Sequence, residues 1–357
     1  MGKNIVLCLD GTGNEVKARE ATNVFKIVEL LDLRDPEKQV VYYDPGVGTF
    51  TSPRAWTAVA RGLSRLGGLA LGHGLRQNLG EAYTYLMNAW RPGDKVFVFG
   101  FSRGAYTARA LCGMLYRVGL LRPGSENLVP YALRVYARRP GKDSDLSLPE
   151  GWDRLDRFAE ALSVRPRPDS LAFPIDYLGV FDTVKATRFL GRDIRWPYTN
   201  KLLNVRVVRH AVSIDEKRRP YEECLISVPE PGKSPQVTET WFAGVHSDVG
   251  GGFEDHPELG KVAMRWMVEG ATAEGLLVRE QRVRSRYTLA ESDASGAIHR
   301  AGWIWALARY RRRPIPPGAR VHASVRTRIS AFPEYGRDLP NNVIWDEEAW
   351  PSTPAPS

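Results

Sequence analysis

The residues best placed to do chemistry lie in Gly100-Phe101-Ser102-Arg103-Gly104, a G-x-S-x-G spacing. A serine hydroxyl is a weak nucleophile until a base takes its proton, and this spacing suits a serine held on a sharp strand-to-helix turn. In a chain with 33 glycines the pattern alone could arise by chance, so its flanks decide. Lys95 to Phe99 before it reads as a β-rich run, and Ala105 to Val118 after it reads as an apolar helix. Glycines two positions before and after the serine would let strand and helix approach closely. A helix N-terminus directed at Ser102 would favour a developing negative charge. Ser102 is therefore expected to be a nucleophile rather than a structural turn serine.

The base must come from six histidines. His246 is the best candidate, because it follows a strand-like run within the glycine-rich stretch Trp241 to Gly252. His210 is the runner-up. His73 sits in a Gly-rich apolar segment, and His256, His299 and His322 lie in polar surroundings without a strand end. The orienting acid is expected at Asp182, which ends the apolar run from Tyr177 to Phe181, where an open α/β sheet carries its functional groups. Asp215 and Asp248 are its rivals. Asp248 is too near His246 in sequence to bond its ring easily and is expected to brace the loop. The order Ser102, Asp182, His246 is that of α/β-hydrolases.

An oxyanion needs donors. The amide of Arg103 is one by position, and Gly11 or Thr12 in Asp10-Gly11-Thr12-Gly13-Asn14 is expected to supply the second, with a plain glycine turn as the alternative. Asp10 and Asp248 lack further ligands at suitable spacing, so no metal and no cofactor is expected.

The elements that must position these groups alternate. Asn4 to Leu9, Gln39 to Tyr43, Lys95 to Phe99, Pro174 to Phe181 and Val237 to Ala243 read as strands. Thr22 to Leu31, Leu75 to Trp90, Ala105 to Val118 and Leu259 to Gly270 read as helices. This predicts an α/β fold: an α/β-hydrolase-like, mainly parallel sheet with helices on both faces. One domain is expected over residues 1–349, with a helical insertion at about 120–172 and a disordered tail at 350–357. The apolar segment Ala55 to Leu79 reads as core helices in preference to a mobile flap.

Composition narrows the partners. The net charge is +9, with clusters at Arg138-Arg139, Arg218-Arg219 and Arg311-Arg312-Arg313. These read first as solvated surface, and second as attraction to anionic lipid and peripheral membrane association. No nucleic-acid module accompanies them, so nucleic acid is not an expected partner. Cys8, Cys112 and Cys224 are odd in number and far apart, which argues against a disulfide framework or zinc site. Cys112 reads as a small buried hydrophobe. No run approaches the roughly 18 apolar residues of a membrane span, and the first residues read as a strand rather than a secretory signal. A cytoplasmic location is the default expectation, and nothing signals an oligomeric state.

Five ordered signatures, at Leu7–Asn14, Gly100–Leu111, Gly179–Val184, Arg209–Tyr221 and Trp241–Phe253, resemble those of a family of α/β-hydrolase domains. Its best-known members are phospholipase effectors of type VI secretion. A weaker match adds Val321–Val325 and Asn341-Asn342, so the resemblance spans roughly residues 4–345. It implies a triad of Ser102, Asp182 and His246, cleavage of carboxylic esters, glycerophospholipids as substrates of the lipase-like members, and export by a signal-independent secretion system. The chain departs from the family at Gly13, where Trp is frequent, and is close to a bare catalytic domain. The competing readings are a small-ester carboxylesterase, a non-catalytic binding module on a hydrolase scaffold, and a basic nucleic-acid binder.

Overall fold

Ile5 to Leu9 form an unbroken apolar run, and a strand can bury such a run only if both its faces are covered. The computed structural model describes residues 2–11, 21–46, 67–137, 149–166, 170–184, 196–227, 235–299 and 311–351. It places β1 (Asn4–Leu9) inside an eight-stranded sheet of order β2-β1-β3-β4-β5-β6-β7-β8. β2 is Gln39–Asp44, β3 Lys95–Phe101, β4 Ile175–Phe181 and β5 Val205–Ser213. β6 is Gln236–Phe242, followed by the short β7 (Arg320–His322) and β8 (Ile344–Asp346). All neighbouring strands pair in parallel.

Alternate side chains of β1 serve two cores. Ile5, Leu7 and Leu9 join one apolar cluster, while Val6 and Cys8 join the other. Helices α2 (Gly67–Ala89), α3 (Arg103–Arg117) and α4 (Val129–Ala137) pack into the first. Helices α1 (Asn23–Leu30) and α7 (Glu258–Ala273) pack into the second. The sheet thus has helices on both faces, as the alternating pattern predicts. Further helices are α5 (Pro149–Leu162), α6 (His246–Gly250), α8 (Glu280–Tyr287) and α9 (Ala323–Ala331). Between α3 and β4, where the insertion is expected, the described elements are α4, α5 and a short 3₁₀ turn. Of the apolar segment Ala55 to Leu79, residues 55–66 lie outside the described set, and Leu75 and Leu79 are buried.

Capping explains one boundary well. Thr22 accepts the Phe25 amide at 3.2 Å in extended conformation, so α1 starts at Asn23. Three strands were not among the expected ones. β5 carries Arg206, Arg209 and His210, which break an apolar pattern, and β7 and β8 have three residues each. The three cysteines are free and buried.

Strand order reverses direction between β1 and β3, since β2 lies on one side of β1 and β3 on the other. In open α/β sheets such a switch point, at the carboxyl ends of the strands, forms the crevice for ligands. The turn after β1 and the turn after β3 flank it.

Candidate active site

The turn after β3 is built by close contact. A Cβ on Gly100 would stand 2.7 Å from the Ala105 Cα, and one on Gly104 would stand 2.2 Å from the Leu9 carbonyl oxygen. Neither position tolerates a side chain, so the two glycines allow α3 to press against the ends of β3 and β1. Between them Ser102 takes φ 58°, ψ −121°, a strained conformation for a residue with a side chain. Its amide donates to the Phe181 carbonyl at 3.1 Å, which ties the elbow to β4.

Three side chains distant in sequence meet here. His246 Nε2 is 2.8 Å from Ser102 Oγ, and His246 Nδ1 is 2.5 Å from Asp182 Oδ2. All three residues are buried. Ser102 and Asp182 follow the neighbouring strands β3 and β4. His246 opens α6, four residues past β6. An ionised carboxylate only accepts, so Nδ1 carries the imidazole proton and Nε2 is left to accept from the serine hydroxyl. The imidazole is packed between two rings, Phe101 at 4.6 Å and Tyr221 at 4.9 Å between centroids.

Asp182 itself has φ 36°, and its carboxylate is saturated. Oδ1 accepts the Ser213 amide at 2.9 Å and Arg313 Nη1 at 2.5 Å; Oδ2 accepts Arg313 Nη2 at 3.0 Å besides the imidazole. Four donors meet the roughly four lone-pair directions of a carboxylate. Burial pushes the Asp182 carboxyl up, but the Arg313 charge and the bond from His246 outweigh it and hold the group well below the usual carboxylate range.

Arg313 corrects a sequence expectation. The cluster Arg311-Arg312-Arg313 reads as solvated surface, yet the Arg313 side chain is 2% exposed and also binds Ser213 Oγ at 2.8 Å and the Tyr221 carbonyl. Arg311 and Arg312 are exposed as expected. Similarly, Arg218 pairs with the buried Glu216 at 2.7 Å, and Glu216 Oε2 accepts the His246 amide at 3.3 Å. Only alternation could have flagged Arg313: one arginine of a triplet points inward. Arg138 and Arg139 lie outside the described residues.

The rivals are occupied elsewhere. Asp248 braces the His246 loop through the Val245 amide at 2.8 Å and His299 Nδ1 at 2.5 Å. Asp215 accepts the Gly244 amide at 2.8 Å and the Tyr335 hydroxyl at 2.6 Å. His210, inside β5, holds Glu239 at 2.8 Å and accepts the Thr183 amide at 3.2 Å. On the oxyanion side, the Arg103 amide opens α3 directly after Ser102. The Gly11 amide, expected as a second donor, instead donates to Asp10 Oδ1 at 2.7 Å within its own turn. Its companion Thr12 lies outside the described residues. Asp10 is further committed to Thr22 and Tyr43. Among the described residues no group of three or more His, Cys, Asp or Glu converges as a metal site would require.

A parallel α/β sheet with a strained serine, an imidazole and a carboxylate at its strand ends has the layout of the α/β-hydrolase class. Within that class the chain belongs to the family described as T6SS, phospholipase effector Tle1-like, catalytic domain, whose sequence model matches residues 3–270. A relative in Saccharomyces cerevisiae, the uncharacterized protein YEL023C, is 35% identical over 234 residues, 64% of this chain. The aligned part is 33% of that curated relative, so the chain spans about a third of its length. A crystal structure of an uncharacterized protein from Pseudomonas aeruginosa aligns at TM-score 0.47 and 19% identity, over 82% of this chain and 50% of that one. The Tle1 effector bound to the VgrG spike of the type 6 secretion system aligns at TM-score 0.35 and 16% identity, over 72% and 52% of the two chains. Neither solved structure is near enough to speak to function.

Proposed function

We propose that this protein is a serine esterase of phospholipase type, with Ser102 as nucleophile, His246 as general base and acid, and Asp182 as the acid that orients it. The observation that carries this reading is the unbroken chain from Ser102 Oγ to His246 Nε2 at 2.8 Å and from Nδ1 to Asp182 at 2.5 Å, on a strained turn. Membership of a phospholipase effector family supports the substrate class.

His246 takes the Ser102 proton as Oγ attacks an ester carbonyl. The oxyanion is met by the Arg103 amide and the N-terminal end of α3, a helix of 15 residues. His246 passes its proton to the leaving alcohol, and water then repeats the steps in reverse to release the acid. Asp182 keeps the imidazole in the tautomer this requires and stabilises the imidazolium, without taking a proton itself.

A fluorophosphonate probe is expected to label the protein at Ser102. Ser102→Ala is expected to abolish labelling and to lower kcat on both p-nitrophenyl butyrate and phosphatidylglycerol vesicles by about 10⁴-fold or more. Undiminished turnover by this variant removes the assignment. Turnover of the butyrate with none of the vesicles marks a small-ester carboxylesterase, and labelling of neither protein marks a binding module.

The net charge of +9 supports peripheral association with anionic membranes, expected to weaken steeply as salt is added. Among the described residues no helix is long and apolar enough to cross a membrane. Export by a type VI secretion system is proposed on the family description alone.

A further inference from the structure

A cleft of about 300 Å³ opens between the loop after β5 and the strap that leads into β7, and five arginines line it against three glutamates. This volume is at the lower end of small-molecule sites. The two walls are joined, since the Arg311 amide donates to the Lys217 carbonyl at 2.8 Å.

Most of these charges are already engaged. Arg313 is held by Asp182, with Glu223 at 3.8 Å from its Nε. Arg218 is paired with Glu216 and lies over the Tyr221 ring at 3.9 Å. Arg311 faces Glu222 at 3.7 Å. Two exposed cations stand at the cleft. Arg219 is exposed and has no carboxylate within ion-pair distance among the described residues, and the partner of Arg312, Asp338, is itself exposed. Guanidinium groups spread over two facing walls suit a phosphate, which offers several oxygens to planar forks.

The position of the cleft matters as much as its charge. Tyr221 lines it and packs edge-on against the His246 ring, so it lies on the imidazole side of the site. The imidazole side is also the leaving-group side, because His246 must hand its proton to the departing oxygen. When an acyl ester of a glycerophospholipid is cut, the bond from acyl carbon to glycerol oxygen breaks and the Ser102 Oγ–acyl bond forms. The Ser102 proton reaches that glycerol oxygen through His246. The departing glycerol is the half that carries the phosphate.

We infer that this arginine cleft, built from Arg219 and Arg312 on opposite walls, binds the phosphate of the leaving half of a glycerophospholipid during ester cleavage. The inference rests on the serine-esterase reading above and adds a specificity element to it.

Two substrates separate the inference from that reading: monomeric dihexanoylphosphatidylcholine below its micelle concentration, and neutral p-nitrophenyl butyrate. Using a monomeric lipid removes attraction to a membrane surface. The double substitution Arg219→Glu, Arg312→Glu is expected to lower the ratio of kcat/KM for phospholipid over butyrate by about a hundredfold, roughly tenfold for each charged contact. The control is Arg34→Glu with Arg284→Glu, both on 80%-exposed side chains away from the cleft. It is expected to leave the ratio where it was. Glycerol 3-phosphate is expected to compete with the phospholipid in the wild type and to lose that ability in the double variant. An unchanged ratio in the cleft variant, or an equal fall in the control, overturns the inference while butyrate turnover keeps the esterase reading intact. If inorganic phosphate alone competes as well as glycerol 3-phosphate while the ratio stays fixed, the cleft is a free-anion site and the inference fails. Loss of both activities in the wild type removes the reading and the inference with it.

Discussion

Ser102, Asp182 and His246 stand at strand ends within residues 3–270, the stretch that the family model covers, whereas Arg313 reaches the same carboxylate from the strap before β7. The first region positions its groups through the backbone: a strained serine between two glycines that admit no side chain, and an aspartate at positive φ. The second contributes one long side chain, buried and forked onto Asp182. The difference teaches that the hydrogen-bonded geometry of Ser102, His246 and Asp182 is a property of the sheet, while the charge state of the carboxylate depends on a segment outside the sheet's central strands.

The comparison can be strained most by Asp182→Asn. This substitution removes the imidazole's orienting acceptor and leaves Arg313 as a buried charge facing an amide. We expect kcat on p-nitrophenyl butyrate to fall about 10⁴-fold, with a lower thermal midpoint as well. Next comes Arg313→Met. Breaking a buried pair from this side costs about 3–5 kcal/mol of stability, read from urea midpoints. In the intact protein Asp182 is held well below its ordinary value, so it stays ionised as pH falls through the usual carboxylate range. Without Arg313 burial dominates, the carboxyl rises, and the acid limb of kcat/KM is expected to move to higher pH. Arg313→Lys keeps the charge and should move it less. An acid limb that does not move in Arg313→Met would reduce Arg313 to a packing role.

A third measurement uses a titrating group of the second region that has no part in the site. His322 is fully buried, caps α9 by accepting the Ser324 amide at 3.3 Å on Nδ1, and donates from Nε2 to the Glu348 carbonyl at 3.0 Å. Burial pushes its pKa down to about 4. The unfolded chain, with an ordinary imidazole near 6.5, takes up the proton first as pH falls. Its contribution is therefore present above pH 6.5 and is lost as pH falls toward 4, by about 3 kcal/mol in total. Urea unfolding at pH 7 and pH 4.5 should show the loss, and His322→Asn should flatten it. Smallest of all is Arg326→Ala. Its pair with Glu347 is half-exposed on both sides, and we expect the thermal midpoint to move by less than about 2 °C. A larger shift would mean that this end of the chain relies on surface charge in a way that Arg313 alone does not represent.

Much of this arrangement was legible in the sequence because it is local. The elbow declares itself through Gly100 and Gly104, whose absent side chains are a steric requirement of the turn. The apolar runs of β1, β3 and β4 announce strands buried on both faces. β5 did not, because its polar residues look wrong for an interior strand until their partners are known. Arg206 meets Glu274, Arg209 meets the Trp266 carbonyl and Glu348, and His210 meets Glu239. Arg313 was illegible for the same reason, since its partner stands 131 residues earlier. The Gly11 amide was misread in the opposite way. A glycine turn at the switch point suggests a free donor, but the neighbouring Asp10 carboxylate takes it.

The fork from Arg313 onto Asp182 also sets the order in which the site is completed as the chain is made. When a ribosome has released residue 250, the nascent polypeptide already contains the serine, the aspartate and the histidine. The counter-charge that keeps the aspartate ionised is added more than sixty residues later. The set of contacts around Asp182 is thus finished from the C-terminal side of the sequence.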